Sequence, residues 1–220
     1  MCLKINEGYD KLDKYINKPL KDILEEEQIE KLNGYDKGAA GKMVESIIGL
    51  EYSHATIDFE DGELKTCPCN KNGNPLETMA INQISDPDIL LNPHIFEQTV
   101  LYKKVKNMLI VFICKESNHA GDWFIHSIRH IELEKPTMAP IMNQIRDDFY
   151  HIGSEAEAHI TRDENNSLHT FNGKYIQIRP KASKPYKSMH SEKYNRDVSD
   201  KSCGFYFRRS FLKDIQNKTI

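Results

Sequence analysis

Asp58-Phe59-Glu60-Asp61-Gly62-Glu63-Leu64-Lys65-Thr66 joins an acidic residue, a tight turn and a Glu-x-Lys run. In an extended strand the side chains at i and i+2 point to one face. Glu63 and Lys65 are therefore expected to project together while Leu64 turns into the core. The Asp61-Gly62 step is a turn signal, so the stretch predicts a hairpin over residues 54–67 that carries Asp58 to the same spot. Two carboxylates and an ammonium then converge. Such a group suits metal-dependent DNA cutting: carboxylate oxygens hold Mg²⁺, and the lysine orients or activates the attacking water. A charged strand edge gives the same pattern, because lysine and acidic residues blunt exposed edges. The run alone leaves both readings open.

Upstream, Met43, Val44, Ile47 and Ile48 fall at helical spacing and form one apolar stripe over residues 37–49. Gly38 and Gly41 near its start suit close approach by another backbone, and Gly49 stands where a C-cap glycine belongs. Glu45 flanks the stripe; a solvated helix carboxylate and a member of an acidic site both fit it.

Read outward in both directions, the chain mixes helices and strands. Helices are expected within residues 9–32, with Glu25-Glu26-Glu27 a solvated helix end, and at 94–106 and 137–152, the last with Pro136 near its start and Gly153 after its end. Strands are expected at 78–84, 107–114, 122–134, 174–178 and 204–208, with a turn-rich connection at 68–77, a basic loop up to about residue 202 and a short final helix. This order predicts an α/β (α+β) fold around a central mixed β-sheet flanked by helices.

With 220 residues, 39% of them hydrophobic, the chain can bury one sizeable core. It has neither a long apolar stretch nor a signal-peptide pattern, so the expectation is a soluble, cytoplasmic protein without membrane association. The five cysteines (Cys2, Cys67, Cys69, Cys114 and Cys203) are odd in number. Cys67-Pro68-Cys69 lacks a second ligand pair at metal-binding spacing, so free thiols are expected. Net charge is −3, but unevenly spread. Residues 174–213 hold eleven Lys/Arg against three Asp/Glu, and the remainder nineteen against thirty. That asymmetry predicts a phosphate-attracting surface in the C-terminal quarter. The aromatic and aliphatic residues interleaved there, among them Tyr175, Ile176, Phe205 and Phe207, look built to pack, unlike a disordered basic tail.

Several blocks in order resemble the MutH-like endonucleases, a branch of the PD-(D/E)xK nucleases that includes the mismatch-repair nickase and type II restriction enzymes cutting at GATC. The blocks are Asp36-Lys37-Gly38 through Gly41-Lys42-Met43-Val44-Glu45; Asp58-Phe59; Gly62-Glu63-Leu64-Lys65-Thr66 with Pro68; Gly73-Asn74-Pro75-Leu76-Glu77-Thr78; Tyr175-Ile176-Gln177-Ile178-Arg179-Pro180-Lys181-Ala182; and Gly204-Phe205-Tyr206 with Arg208-Arg209. The resemblance implies a restriction-endonuclease-like core and two lobes around a DNA cleft. It implies one domain over 1–220, with a catalytic part at about 1–135 and a DNA-reading part at about 136–220.

By the same resemblance, Asp58 and Glu63 match metal-binding acids, Lys65 the catalytic lysine, Glu45 the helix-borne acid, and Lys104 a basic residue near the scissile phosphate. The Asp58-to-Glu63 spacing is shorter than in MutH itself, and a shorter turn still brings the acids together. Arg179, Pro180 and Lys181 match the loop that enters the major groove, and Tyr206 the aromatic residue near the adenine N6 group. Lys184, Lys187, Arg208 and Arg209 are assigned to backbone positioning. The implied cofactor is Mg²⁺, with Mn²⁺ as a substitute, and the implied partner is double-stranded DNA. The preferred activity is a type II restriction enzyme at a GATC-type site, leaving 5′-phosphate ends, with a homodimer on DNA or successive nicks as the two routes to a double-strand cut. The alternatives are a methyl-directed repair nickase activated by a MutL-type ATPase, and a catalytically inactive DNA-binding module.

Overall fold

The computed structural model describes residues 3–33, 38–50, 55–92, 95–182 and 184–219. Asp36, Lys37 and His54 of the expected motifs lie outside the described residues. The chain divides into two compact units. One comprises residues 1–77, 106–132 and 212–220; the other comprises 78–105 and 133–211.

The first unit begins with three helices, α1 (Ile5–Asp13), α2 (Glu26–Asn33) and α3 (Ala39–Ile48). Gly49, with φ of 77°, closes α3 in the left-handed conformation expected of a C-cap. The sheet is built from β1 (Glu63–Cys69), followed later in the chain by β3 (Asn107–Cys114) and β4 (Phe124–Glu132), in the order β1-β3-β4. β1 runs parallel to β3, and β4 antiparallel to it, so this is the mixed sheet the sequence predicts. Leu64, Leu109, Val111, Ile113, Ile125 and Ile128 on one face join Leu12, Val44 and Ile48 of the helices in a continuous apolar core. β3 is an unbroken apolar run because it is the central strand, buried on both faces.

The expected hairpin over 54–67 is not formed. Only β1 is a strand; residues 55–62 are an irregular bend, and β1 takes β3 as its hydrogen-bonding partner. The bend is stitched elsewhere. Asp61 Oδ1 accepts from the backbone N–H of Ile5 at 2.9 Å, its carbonyl accepts from Asn107 Nδ2 at 2.8 Å, and Glu60 N–H donates to the Leu3 carbonyl at 3.0 Å. Gly62 is needed for contact: a Cβ there would sit 2.4 Å from the Asn107 carbonyl oxygen.

The second unit holds β2 (Met79–Gln83), α4 (Asp88–Leu91), α5 (Val100–Val105), α6 (Ala139–Arg162), β5 (Phe171–Asn172), β6 (Ile176–Pro180), β7 (Met189–Ser191), β8 (Arg196–Ser199) and β9 (Cys203–Phe207). Its main sheet is antiparallel, in the order β2-β9-β6-β5, and β7 and β8 form a separate pair. The last helix, α7 (Arg209–Asn217), follows β9.

Three expectations are corrected here. α5 is one short helix preceded by a 3-10 turn at Phe96–Gln98, where a helix over 94–106 was expected. α6 runs straight through Gly153 to Arg162, because that glycine faces α4: a Cβ would stand 2.7 Å from the Leu90 carbonyl oxygen. The basic loop contains the β7-β8 pair, tied down by Asp88, which accepts from Ser191 Oγ at 2.5 Å and from the Lys193 N–H at 3.1 Å. Cys67, Cys69, Cys114 and Cys203 are buried free thiols, as expected. Among the described residues, no helix is long and apolar enough to cross a membrane.

Candidate active site and nucleic-acid interface

β1 is an edge strand, and its alternation decides what reaches the site. Leu64 enters the apolar core, whereas Glu63 and Lys65 share the other face, and their carboxylate and ammonium are in direct contact. The Glu63 side chain is only 1% exposed, so it is a carboxylate held out of water beside a cation. Asp58 reaches the same strand without a hairpin: its Oδ2 accepts from the Leu64 N–H at 2.9 Å. The bend holding it is closed by a Phe59 N–H to Gly62 carbonyl bond of 2.8 Å and anchored by the buried Phe59 ring.

Glu45 faces this group from α3. Its carboxyl is pushed above the ordinary range, first by burial and then by the negative charge of Asp58, while Lys65 and Lys42 oppose the shift; Glu63 adds to it. Glu45, Asp58, Glu63 and Lys65 are thus brought together in one unit. Lys42 is an addition the sequence reading missed. Its signal was available, since positions three apart on a helix lie side by side. Lys104 lies in the other unit, half-buried on α5.

Among the described residues, no set of three or more His, Cys, Asp or Glu side chains is arranged to hold a metal ion. Mg²⁺ keeps several waters and takes substrate phosphate oxygens, so one or two protein carboxylates suffice. Hard oxygen donors from Asp58 and Glu63 fit that requirement. Glu45 lies beside them, its carboxyl raised first by burial and then by the charge of Asp58.

The basic residues of the second unit divide into two groups. Arg179 is exposed at the end of β6, donating to Thr78 Oγ1 at 2.8 Å, with its guanidinium 5.6 Å from the centroid of the Tyr206 ring. Pro180 ends β6 opposite Cys203, and the Lys181 N–H extends the ladder to the Ser202 carbonyl at 2.7 Å. Lys181, Lys184, Lys187 and Arg209 are exposed. Arg208 is committed inward, donating to the Gly173 carbonyl at 2.6 Å. Lys193 pairs with Glu157, and Arg196 donates to the carbonyls of Asn166 and Ile160 at 3.0 and 3.2 Å.

The base of β6 is set by Asp148, which sequence reading also missed. Its buried carboxylate accepts from the N–H groups of Lys174, Tyr175 and Ile176 at 2.6–3.0 Å and from Gln144 Nε2 at 2.9 Å. A buried charge is tolerated when its hydrogen bonds are filled, and here filling them fixes where the strand bearing Arg179 begins.

No curated protein matches the chain. The family model described as "DNA mismatch repair enzyme MutH" matches residues 50–148, a segment that contains Asp58, Glu63, Lys65 and Lys104. Over that segment, a little under half of the chain, the sequence is similar to the MutH mismatch-repair enzyme family, and its mixed α/β fold accords with that similarity.

Proposed function

We propose that this protein is a Mg²⁺-dependent, sequence-specific DNA endonuclease, acting as a type II restriction enzyme at a GATC-type site. The observation that carries the reading is the meeting of Glu63 with Lys65 on β1, with Asp58 hydrogen-bonded to the same strand. Asp58 and Glu63 would hold Mg²⁺, and Mn²⁺ would serve in its place. The bound cation supplies Lewis-acid polarisation of a phosphoryl oxygen and lowers the pKa of a coordinated water. Lys65 orients the attacking water and stabilises charge developing at phosphorus, with Glu45 shaping the acidic side of the site. Attack in line with the leaving 3′-oxygen leaves 5′-phosphate and 3′-hydroxyl ends. Lys104 is assigned to the scissile phosphate. Arg179, Pro180 and Lys181 are assigned to the major groove, Tyr206 to the adenine N6 region, and Lys184, Lys187 and Arg209 to the backbone; Arg208, expected there from the sequence, is instead engaged by the Gly173 carbonyl. The catalytic part is assigned to about 1–135, the reading part to about 136–220, and the whole to the cytoplasm.

The mismatch-repair description of the matching family favours a second reading, a methyl-directed repair nickase that works with a MutL-type ATPase. Both readings share the chemistry, and one experiment tests it: Mg²⁺-dependent cleavage of GATC-containing DNA by the purified protein. Asp58→Ala, Glu63→Ala and Lys65→Ala should each lower single-turnover cleavage by ~100-fold or more while DNA binding persists. Near-normal cutting by any of them removes the assignment.

A further inference from the structure

β2 breaks its own alternation. Ala80 is exposed and Ile81 buried, which at period two would bury Gln83 and expose Ile84. The observed order is the reverse, because the β2-β9 register shifts between Ala80 and Asn82. Ala80 stands opposite Tyr206, and after the bulge Gln83 stands opposite Gly204. Gly204 is in turn opposite Arg179 on β6. One row of the sheet therefore reads Gln83, Gly204, Arg179, with Tyr206 beside it on the same face. Gly204 keeps the middle of that row low: a Cβ would come within 3.4 Å of Tyr206 Cε2 and 3.0 Å of the Asn82 carbonyl oxygen. The result is a concavity of about 190 Å³ lined by Gln83, Lys181, Gly204 and Tyr206 among others.

The two amides of β2 differ in what they can do there. Asn82 Nδ2 donates to the Gln83 carbonyl at 3.1 Å, and its Oδ1 is shut away from solvent. Asn82 is thus turned back on its own strand. The Gln83 amide is exposed, and among the described residues nothing in the chain hydrogen-bonds it. Bulges re-aim side chains, and this one turns a primary amide toward the arginine and tyrosine assigned to base reading. A glutamine amide donates and accepts side by side, which matches the N7 acceptor and N6 donor of adenine in the major groove.

We propose that Gln83 is a specificity-determining residue that reads an adenine edge of the target site. The assignment rests on the reading of this chain as a sequence-specific endonuclease.

The test is selection of bound duplexes from a randomised double-stranded pool, with Ca²⁺ in place of Mg²⁺, for wild type, Gln83→Ala and Gln83→Glu. Wild type should enrich a motif containing adenine. Gln83→Ala should lose preference at one adenine position and keep the others, and 7-deazaadenine at that position should weaken binding ~10-fold for wild type and not for the variant. Gln83→Glu should shift that position toward cytosine, whose N4 amine suits a carboxylate acceptor; a misfolded protein cannot produce a new preference. If both variants enrich the wild-type motif unchanged, the role of Gln83 is overturned while the endonuclease reading stands. If wild type enriches no motif, sequence-specific reading fails and this assignment fails with it.

Discussion

At the scale of single residues, the site sets three carboxylates, Glu45, Asp58 and Glu63, beside two lysines, Lys42 and Lys65. Glu45 carries the least favourable position: burial and the carboxylates of Asp58 and Glu63 outweigh help from Lys65 and Lys42. A carboxyl raised on folding favours the folded state while protonated and loses that contribution as pH rises through the folded value. Glu45→Gln should therefore raise Tm at pH 7.5 without divalent cation, with the gap closing as pH falls into the ordinary carboxylate range. Added Mg²⁺ should raise Tm of wild type more than of the variant. Equal Tm values throughout would remove the charge-crowding argument. The thiols of Cys67 and Cys69 are pushed up to about 12, chiefly by burial. At pH 8 their thiolate fraction is on the order of 10⁻⁴, so iodoacetamide followed by peptide mass mapping should label them only after unfolding. Glu63, Lys65 and Leu64 were legible in the sequence because period two is enforced wherever one face of a strand is buried. Asp148 was not, because its partners are backbone N–H groups about 26 residues away, and spacing along a chain carries no trace of such a bond.

At the scale of elements, misreadings came from glycine and from short polar strands. Asp61-Gly62 has the composition of a hairpin turn, but its glycine serves backbone contact with β3, and its aspartate receives the start of α1. Gly153 has the look of a helix stop after Ile152, yet it lets α4 lie against α6. These two roles of glycine, conformational and steric, leave the same letter in the sequence. β7 and β8 are three and four residues of mostly polar character, so no periodicity announces them. Gly153→Ala separates the roles. Helix propensity alone predicts a gain of about 1 kcal/mol. Overlap with the Leu90 carbonyl oxygen, a backbone atom that cannot swing aside, predicts a loss of roughly 1–3 kcal/mol. The steric term should win, lowering the urea midpoint with little change in m-value. A raised midpoint would return Gly153 to a purely conformational role.

At the scale of the whole molecule, charge bears on how DNA is held and role on how it is cut. The basic excess at 174–213 is trimmed by folding, because Lys193, Arg196 and Arg208 are engaged by other groups of the protein. Lys184 and Lys187 remain exposed. Lys184→Ala and Lys187→Ala should each reduce the slope of log K against log salt by about 0.9, alike on GATC-bearing and random duplexes. A loss confined to one sequence would mark them as base readers instead. The two readings of the activity part over supercoiled plasmid. Cutting both strands of one site needs two active centres, supplied by a homodimer or by successive nicks, and each chain carries one Asp58-Glu63-Lys65 group. A restriction enzyme working alone should convert supercoiled plasmid to linear product at low enzyme excess, with Asp58→Ala giving neither linear nor open-circle DNA. A repair nickase should give slow open-circle product and accelerate sharply when a MutL-type ATPase is added. Linear product without any accessory protein upholds the restriction role; strict dependence on the ATPase overturns it and leaves the assignment of Asp58, Glu63 and Lys65 intact, because both roles use the same carboxylates and lysine.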